Sequence, residues 1–329
     1  MGVRGRMGNI KKIAELSGVS VTTVSRVLNN HPYVKEDKRK AVLETINKLN
    51  YSQNLNAVHL SRGKTSMIGV MVPYIAVPYY GNLLDGIGEA ALKNNYSINL
   101  FQTNYDEKKE MEALEKLKSK QVDGMIICSH TANMDIIRKY AEEHPIIVCE
   151  KVAEKNIAAV YIDHYSAFRQ GIDFLHENGY KKIGYCVNRA KSLNSKLREK
   201  AFYEGLAELG LHVAKEWVFD SCLSIEDGKR VVKELLELED RPNALLVTSD
   251  QVAAGIMTEA RRHKLNIPED LALLSYDNHP ISEALELTTM DLPIVEMGRR
   301  SFQLFQQLQE QKQETPIELK AKLVIRSTV

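Results

Sequence analysis

"NIKKIAELSGVSVTTVSRVLNNHPYV", residues 9–34, lies near the start of a chain of 329 residues. Ile10, Ile13, Ala14 and Leu16 form a short apolar stripe at helical spacing. Ser17-Gly18 ends it, because glycine accepts the left-handed conformation that closes a helix. Ser20 then caps a second helix, Val21 to about Asn29, in which Val24, Val27 and Leu28 share one face. Val21, Thr22, Ser25 and Arg26 share the opposite face, so small polar groups and one guanidinium point outward together. A third helix, about Glu36 to Asn50, is expected to set Val42, Leu43, Ile46 and Leu49 against the first two. Two short helices joined by a glycine turn are the pattern of a helix-turn-helix, whose second helix enters the DNA major groove.

Charge separates this head from the rest. Residues 1–64 carry 12 Lys+Arg against 4 Asp+Glu, and the remaining 265 residues carry 32 against 39. A basic head on a mildly acidic body points to a polyanion-binding module joined to a part with another task. The length suits two or three domains, and 44% apolar with 26% charged residues is a globular composition. The first residues, MGVRGRMGNIKK, hold no apolar run of signal-peptide type, and no segment reaches the length of a membrane span, so a cytoplasmic protein is expected. Cys128, Cys149, Cys186 and Cys222 fall in or beside apolar runs without a C-x-x-C pair, the pattern of buried free thiols. No cofactor and no metal site is expected.

The body alternates two kinds of segment. Apolar runs of strand length at Met67–Val72, Ile98–Gln102, Gly124–Cys128, Ile146–Cys149 and Ala158–Ile162 have amphipathic stretches between the earlier ones, at Tyr80–Asn94, Glu107–Lys120 and Asn133–Glu143. The cycle restarts with Lys182–Val187, Lys196–Leu209, Trp217–Asp220, Ile225–Glu239, Ala244–Val247, Gln251–Lys264 and Leu271–Tyr276. Such alternation predicts parallel sheets covered by helices, and its repetition predicts two lobes with a cleft between them. Ligands bind beyond the carboxyl ends of such strands. Tyr79 and Tyr80, Glu150, Asp250 and Asp277 stand at those ends, and Arg198 lies on a helix of the second lobe.

Between head and body runs "YSQNLNAVHLSRGKTSMIGVMVP", in which Asn54 to Ser61 could form two helical turns. The run I-A-E-L-S-G-V-S-V-T-T-V-S-R-V-L-N, the later L-N-Y, and A-x-x-L followed by G-K-T resemble the head and hinge helix of the LacI/GalR family of transcriptional regulators. The wording N-N-H-P-Y-V-K-E-D-K-R-K is most similar to the catabolite control protein B branch. The resemblance covers the chain from Asn9 onward. It implies an all-α helix-turn-helix domain (1–52), a hinge helix and linker (53–65), and a two-lobed periplasmic-binding-protein-like effector domain. Lobe one would be 66–162 with roughly 293–321, and lobe two 163–292 with roughly 322–329; the crossings fall near Ile162, Leu292 and Lys322. It also implies that Val21, Thr22 and Arg26 read base edges, that Ser25 and neighbouring amides hold phosphates, and that Leu60 is a wedge in the minor groove. Ser20, Thr23, Asn29, Asn54 and Ala57 complete the expected DNA contacts. The expected function is sugar-responsive transcriptional repression by a homodimer bound to double-stranded operator DNA.

Four stretches match effector-site motifs of the family. Arg198–Phe202 resembles R-x-x-G-F, Ser249–Gly255 resembles N-D-x-x-A-x-G, Tyr276-Asp277-Asn278 resembles F-D-N, and Pro78-Tyr79-Tyr80 resembles N-P-F-Y. Tyr79, Tyr80, Glu150, Arg198, Ser249 and Asp277 are therefore the expected effector contacts, and Asp250 a structural helix cap. A guanidinium facing a carboxylate can chelate sugar hydroxyls while a tyrosine ring covers the apolar sugar face. The chain departs from the pattern at Gln53, where the family has proline, at Val77 and Ser249, where it has asparagine, and at Leu223, where many members have an aromatic. The effector, a sugar or sugar phosphate, therefore need not be a typical hexose. A phosphocarrier protein is the alternative partner: Arg299 and Arg300 are basic, but Gln303 occupies the docking-arginine position. Enzymatic readings find no support. Gly86-x-Gly88 lies inside a predicted helix, not at a strand-to-helix turn, and H-E-x-x-H and G-x-S-x-G are absent. A sugar-binding transport receptor would need an export signal and no hinge wedge.

Overall fold

A computed structural model describes residues 10–29, 31–51, 63–152, 157–189, 192–310 and 316–329. The chain divides into two compact units, Met1–Thr65 and Ser66–Val329.

In the first unit α1 (Ile10–Ser17), α2 (Val21–Leu28) and α3 (Glu36–Lys48) surround a small core. Gly18 takes φ 66° after α1, and the Val19 amide donates back to the Ala14 carbonyl at 3.1 Å. Ser20 caps α2, its hydroxyl accepting from the Thr23 amide. Ile13, Val24 and Val42 are wholly buried, with Ala14 and Val27 beside them. Two residues expected in this core are outside it: Leu16 is 54% and Leu43 46% exposed. So small a core takes only the centre of each apolar stripe. On α3 that centre is Val42 and Thr45, and Leu16 lies well off the line through Ile13 and Ala14. Asn54, Ala57 and Leu60, expected on a hinge helix, lie outside the described residues.

The second unit begins β1 (Met67–Val72), α4 (Pro78–Lys93), β2 (Ser97–Gln102), α5 (Glu107–Lys118), β3 (Met125–Ile127), α6 (Met134–Ala141), β4 (Ile146–Val148), β5 (Ala158–Ile162) and α7 (His164–Glu177). It repeats as β6 (Ile183–Cys186), α8 (Leu193–Glu208), β7 (Val218–Phe219), α9 (Ile225–Glu237), β8 (Ala244–Val247), α10 (Asp250–Arg262) and β9 (Ala272–Tyr276). It ends with α11 (Pro280–Ala284), β10 (Thr289–Asp291), α12 (Ile294–Gln309), β11 (Ile317–Leu319) and β12 (Lys322–Val324). One sheet has the order β11-β5-β4-β3-β1-β2 and the other β12-β10-β9-β8-β6-β7. In the first, Val70 of β1 lies opposite Leu100 of β2 and Ile126 of β3, both parallel.

Two details differ from the sequence reading. The second sheet has an antiparallel edge, with Met290 of β10 opposite Leu323 of β12. The terminal apolar run, Ile317–Ile325, reads as one strand from hydropathy but is two, β11 pairing with β5 in the first sheet and β12 with β10 in the second, so that the crossing expected near Lys322 falls between them. The chain thus passes between sheets after β5, after β10 and between β11 and β12.

Each lobe carries one helix pair in glycine-mediated contact. A Cβ on Gly86 of α4 would stand 1.9 Å from the Val295 carbonyl oxygen of α12, and one on Gly298 2.3 Å from that of Leu83. In the second lobe Gly228 of α9 and Gly255 of α10 meet the same way, at 2.1 Å from Val252 O and 2.0 Å from Ile225 O. Gly86 of the Gly86-x-Gly88 pair is therefore a packing residue. Because the obstacle is backbone, Gly86→Ala should lower unfolding stability by about 1–3 kcal/mol, with Gly88→Ala, which meets only the tip of Ile98 at 3.9 Å, nearly neutral. Urea titrations giving the two variants equal midpoints would contradict this.

Candidate functional site

On the head, α2 turns Val21, Thr22, Ser25 and Arg26 outward, all exposed. The Ser20 hydroxyl lies 2.9 Å from that of Thr23, and Asn29 donates through Nδ2 to the Ser25 carbonyl at 2.8 Å. These contacts hold both ends of the helix in shape. The helix has no carboxylate, and its N-terminal dipole end favours an anion such as phosphate. Short hydroxyls beside one guanidinium suit a major groove, where arginine matches the acceptor pair of guanine.

In the second unit, strand order reverses at β1, which lies between β2 and β3, and at β6, which lies between β7 and β8. Loops leaving such a reversal part and open a crevice. The two crevices make one cleft. From the first lobe it is lined by Tyr74, Val77, Tyr79, Tyr80, Tyr105, Ser129 and Glu150. From the second come Asn188, Arg189, Ser192, Asn194, Ser195, Arg198, Cys222, Leu223, Thr248, Ser249 and Asp277. Tyr79, Tyr80, Glu150, Arg198, Ser249 and Asp277 are thus brought to a single wall-to-wall site.

Arg198 sits in the second turn of α8, which begins earlier than its sequence suggested because Ser192 caps it by accepting from the Ser195 amide. Its Nη2 donates to Nδ1 of buried His164 at 3.1 Å, and its guanidinium carbon lies 5.6 Å from the Tyr276 ring centroid. An arginine offers no acceptor, so His164 must present a bare nitrogen here. Burial, and then the charge of Arg198, hold His164 well below the ordinary histidine range. His164 opens α7, a helix absent from the sequence reading.

Asp277 follows β9 at φ 102°. Its neighbour Asn278 accepts from Arg326 Nη2 at 3.0 Å, which pins the loop. Burial and nearby Asp250 raise the Asp277 carboxyl to about 8, against the lowering pull of Arg198. Asp250 itself is occupied, accepting from Ser275 and Thr289 hydroxyls at 2.6 and 3.0 Å and from the His279 amide at 2.7 Å. Ser249 caps α10 through the Gln251 amide.

In the first lobe Glu150 is 3% exposed and accepts from the Ser129 hydroxyl at 2.9 Å; His130 Nε2 is 3.4 Å from its other oxygen. Burial raises its carboxyl above the ordinary range, with His130 and Ser129 opposing. Buried Glu110 of α5 fixes the adjacent loop by accepting from the Thr131 and Ala132 amides. Tyr105, Ser129 and Arg189 were not picked out from sequence. All three directly follow β2, β3 or β6, so the strand-end rule could have found them. Several polar atoms in this region are buried without a partner: Arg198 Nε, Arg189 Nη1, Asn194 Oδ1, and the hydroxyls of Tyr185 and Tyr276. Among the described residues no group of His, Cys, Asp and Glu is placed to hold a metal ion, and no helix is long and apolar enough to cross a membrane.

Residues 9–54 match the family described as bacterial regulatory proteins, lacI family, and residues 65–326 the periplasmic binding proteins and sugar binding domain of LacI family. The chain belongs to the LacI family. It is 44% identical over 326 residues to the uncharacterized HTH-type transcriptional regulator YkvZ of Bacillus subtilis (strain 168), covering 98% of this chain and all of that one. Catabolite control protein B of the same organism is 34% identical over 317 residues, 96% of this chain and 99% of its own. The crystal structure of a LacI family regulator from Lactobacillus casei with bound sucrose aligns at a TM-score of 0.74 and 26% identity, over 80% of this chain and 99% of that one. These relatives are transcriptional regulators, not enzymes, and this LacI-family chain is a DNA-binding transcriptional regulator.

The proton on Asp277 has a measurable consequence. With a folded value of about 8, the folded chain keeps this proton across a pH range in which the unfolded chain, near 4, has lost it. The contribution of Asp277 to stability therefore declines as pH rises from about 4 to 8 and levels off above that. Asp277→Asn cannot ionise, so its melting temperature should exceed the parent's by a margin that grows between pH 5 and pH 8. A margin independent of pH would show that Asp277 is ionised in the fold.

Proposed function

We propose that a small molecule in the cleft controls how tightly this regulator holds its operator. The observation that carries this reading is the convergence of Arg198 and Asp277 from one lobe with Tyr79 and Glu150 from the other on one cleft, where buried polar atoms await partners. A ligand bridging both walls binds one lobe arrangement better than another, and only such a difference can shift an equilibrium. Arg198 and Asp277 would take ligand hydroxyls, with the ring of Tyr79 against an apolar face. The sucrose named in the Lactobacillus casei structure supports a polyhydroxy ligand. Residues 1–52 would be the DNA-binding domain, with 53–65 the hinge and 66–329 the two lobes. Ser20, Val21, Thr22, Thr23, Ser25, Arg26 and Asn29, with Asn54, Ala57 and Leu60, would contact operator. The protein would act in the cytoplasm as a homodimer on a palindromic site, the symmetry that two paired heads impose. A phosphocarrier corepressor has less support, since Arg299 is tied to Glu89 at 2.8 Å and to Glu296 at 3.3 Å.

Two variants separate the two activities. On an operator selected from random duplexes, Arg26→Ala should lose about 1–3 kcal/mol of specific binding and keep salt-sensitive binding to random DNA. Arg198→Ala should hold the operator normally and lose its response to whichever sugar, from a panel of sugars and sugar phosphates, alters parent binding. The ratio by which that sugar changes operator affinity must equal the ratio by which operator changes sugar affinity. Full response in Arg198→Ala would place the ligand elsewhere.

A further inference from the structure

The first-lobe half of the cleft has a chemistry of its own. Tyr74 stands edge-on to Tyr105 with ring centroids 5.6 Å apart, and Tyr79 edge-on to Tyr80 at 5.3 Å. The hydroxyls of Tyr80 and Tyr105 are 2.8 Å apart, Tyr105 donates to Ser129 at 3.3 Å, and Ser129 donates to Glu150 at 2.9 Å. Since Tyr105 spends its hydrogen on Ser129, Tyr80 must donate to Tyr105. Each of these three hydroxyls therefore leans toward one carboxyl group. Among the described residues, both guanidinium groups lining the cleft, Arg189 and Arg198, come from the opposite lobe. Half-buried aromatic faces beside a buried carboxyl group make a site for a cation.

A cation already occupies it. The guanidinium carbon of Arg189, on the loop after β6, lies 3.2 Å from the centroid of the Tyr105 ring across the cleft. Its charge favours the ionised form of Glu150. The fit is incomplete, because Arg189 Nη1 is buried with no hydrogen-bond partner. A buried donor without an acceptor is costly, so a cation that satisfies all its donors would displace the side chain. A phosphate or carboxylate here would meet Glu150 and the electron-rich tyrosine faces, and a neutral hexose would give up the charge that Arg189 supplies.

We propose that the first-lobe half of the cleft is a subsite for a protonated amine, filled by Arg189 in the unliganded chain, and that the effector is an amine-bearing sugar or polyol. This rests on the cleft being the effector site and adds the ligand's charge to it. Hydroxyls of the ligand would meet Arg198 and Asp277 while its ammonium takes the place of the Arg189 guanidinium.

Chemical rescue tests the subsite without knowledge of the effector. In full-length Arg189→Ala, methylguanidinium should bind saturably at millimolar concentration, read by calorimetry, and N-methylurea, its uncharged isostere, at least tenfold more weakly. Arg189→Ala combined with Glu150→Gln should lose that preference, and a single cooperative melt with parent-like circular dichroism in both variants would show that they fold. In the parent protein glucosamine, galactosamine and mannosamine are compared with the matching hexoses, N-acetyl derivatives and 6-phosphates. At least one amine should bind ten times more tightly than its neutral and phosphorylated counterparts. Equal binding of the two rescue probes, a preference that survives Glu150→Gln, or tighter binding of a hexose phosphate would overturn the proposal. The operator response of Arg198→Ala is read separately, so failure of the amine subsite is distinguishable from failure of the cleft as effector site.

Discussion

A parallel sheet leaves the loops from all its strand ends on one edge, and this chain opposes two such edges. Nearly everything at the cleft follows from that constraint. Tyr79, Tyr105, Ser129 and Glu150 are remote in sequence, yet each follows one of four strands of one sheet. Arg189, Leu223, Ser249 and Asp277 do the same from the other sheet. The glycine contacts between α4 and α12, and between α9 and α10, support this arrangement from behind. They bring one helix pair per lobe into backbone contact, while the cleft loops keep polar side chains that no packing demands.

The cleft is held at some expense to stability. A bare His164 nitrogen, a protonated Asp277 and a buried Glu150 are poor choices for a core and good ones for a binding site, where a partner supplies the missing hydrogen bonds. His164 orients Arg198 without competing for its charge, since a protonated imidazole would repel the guanidinium. Asp250 shows the contrast. Its carboxyl is equally buried, but hydroxyl and amide donors satisfy it, and it holds the base of α10 and the loop after Asp277 together.

Three strand-to-strand crossings join the lobes, so a ligand that draws Arg198 toward Tyr79 acts on all three connections at once. An interlobe contact by the protein's own Arg189 means that the unliganded state is itself held by a specific interaction. The ligand then competes with an internal group instead of filling an empty space, and the difference between those two contacts is what remains to shift the equilibrium.

The helix-turn-helix was legible because its signals are local: Gly18 must end α1, Ser20 must cap α2, and a period of 3.6 separates Val24 and Val27 from Thr22 and Arg26. Strand and helix alternation gave the sheets for the same reason, and motif resemblance pointed to Arg198 and Asp277. Which apolar residues a small core accepts is not local, and Leu16 and Leu43 were misjudged. The run from Ile317 to Ile325 reads as one strand because hydropathy does not record a change of sheet between Leu319 and Lys322. The sequence by itself determined most of the elements, the basic head and the family, all of which depend on neighbours within a few turns of chain. Only the tertiary structure decided that Arg189 meets Tyr105, that three hydroxyls lean toward Glu150, and that His164 stands behind Arg198. Those contacts join residues 21 to 84 positions apart, and no spacing along the chain encodes them.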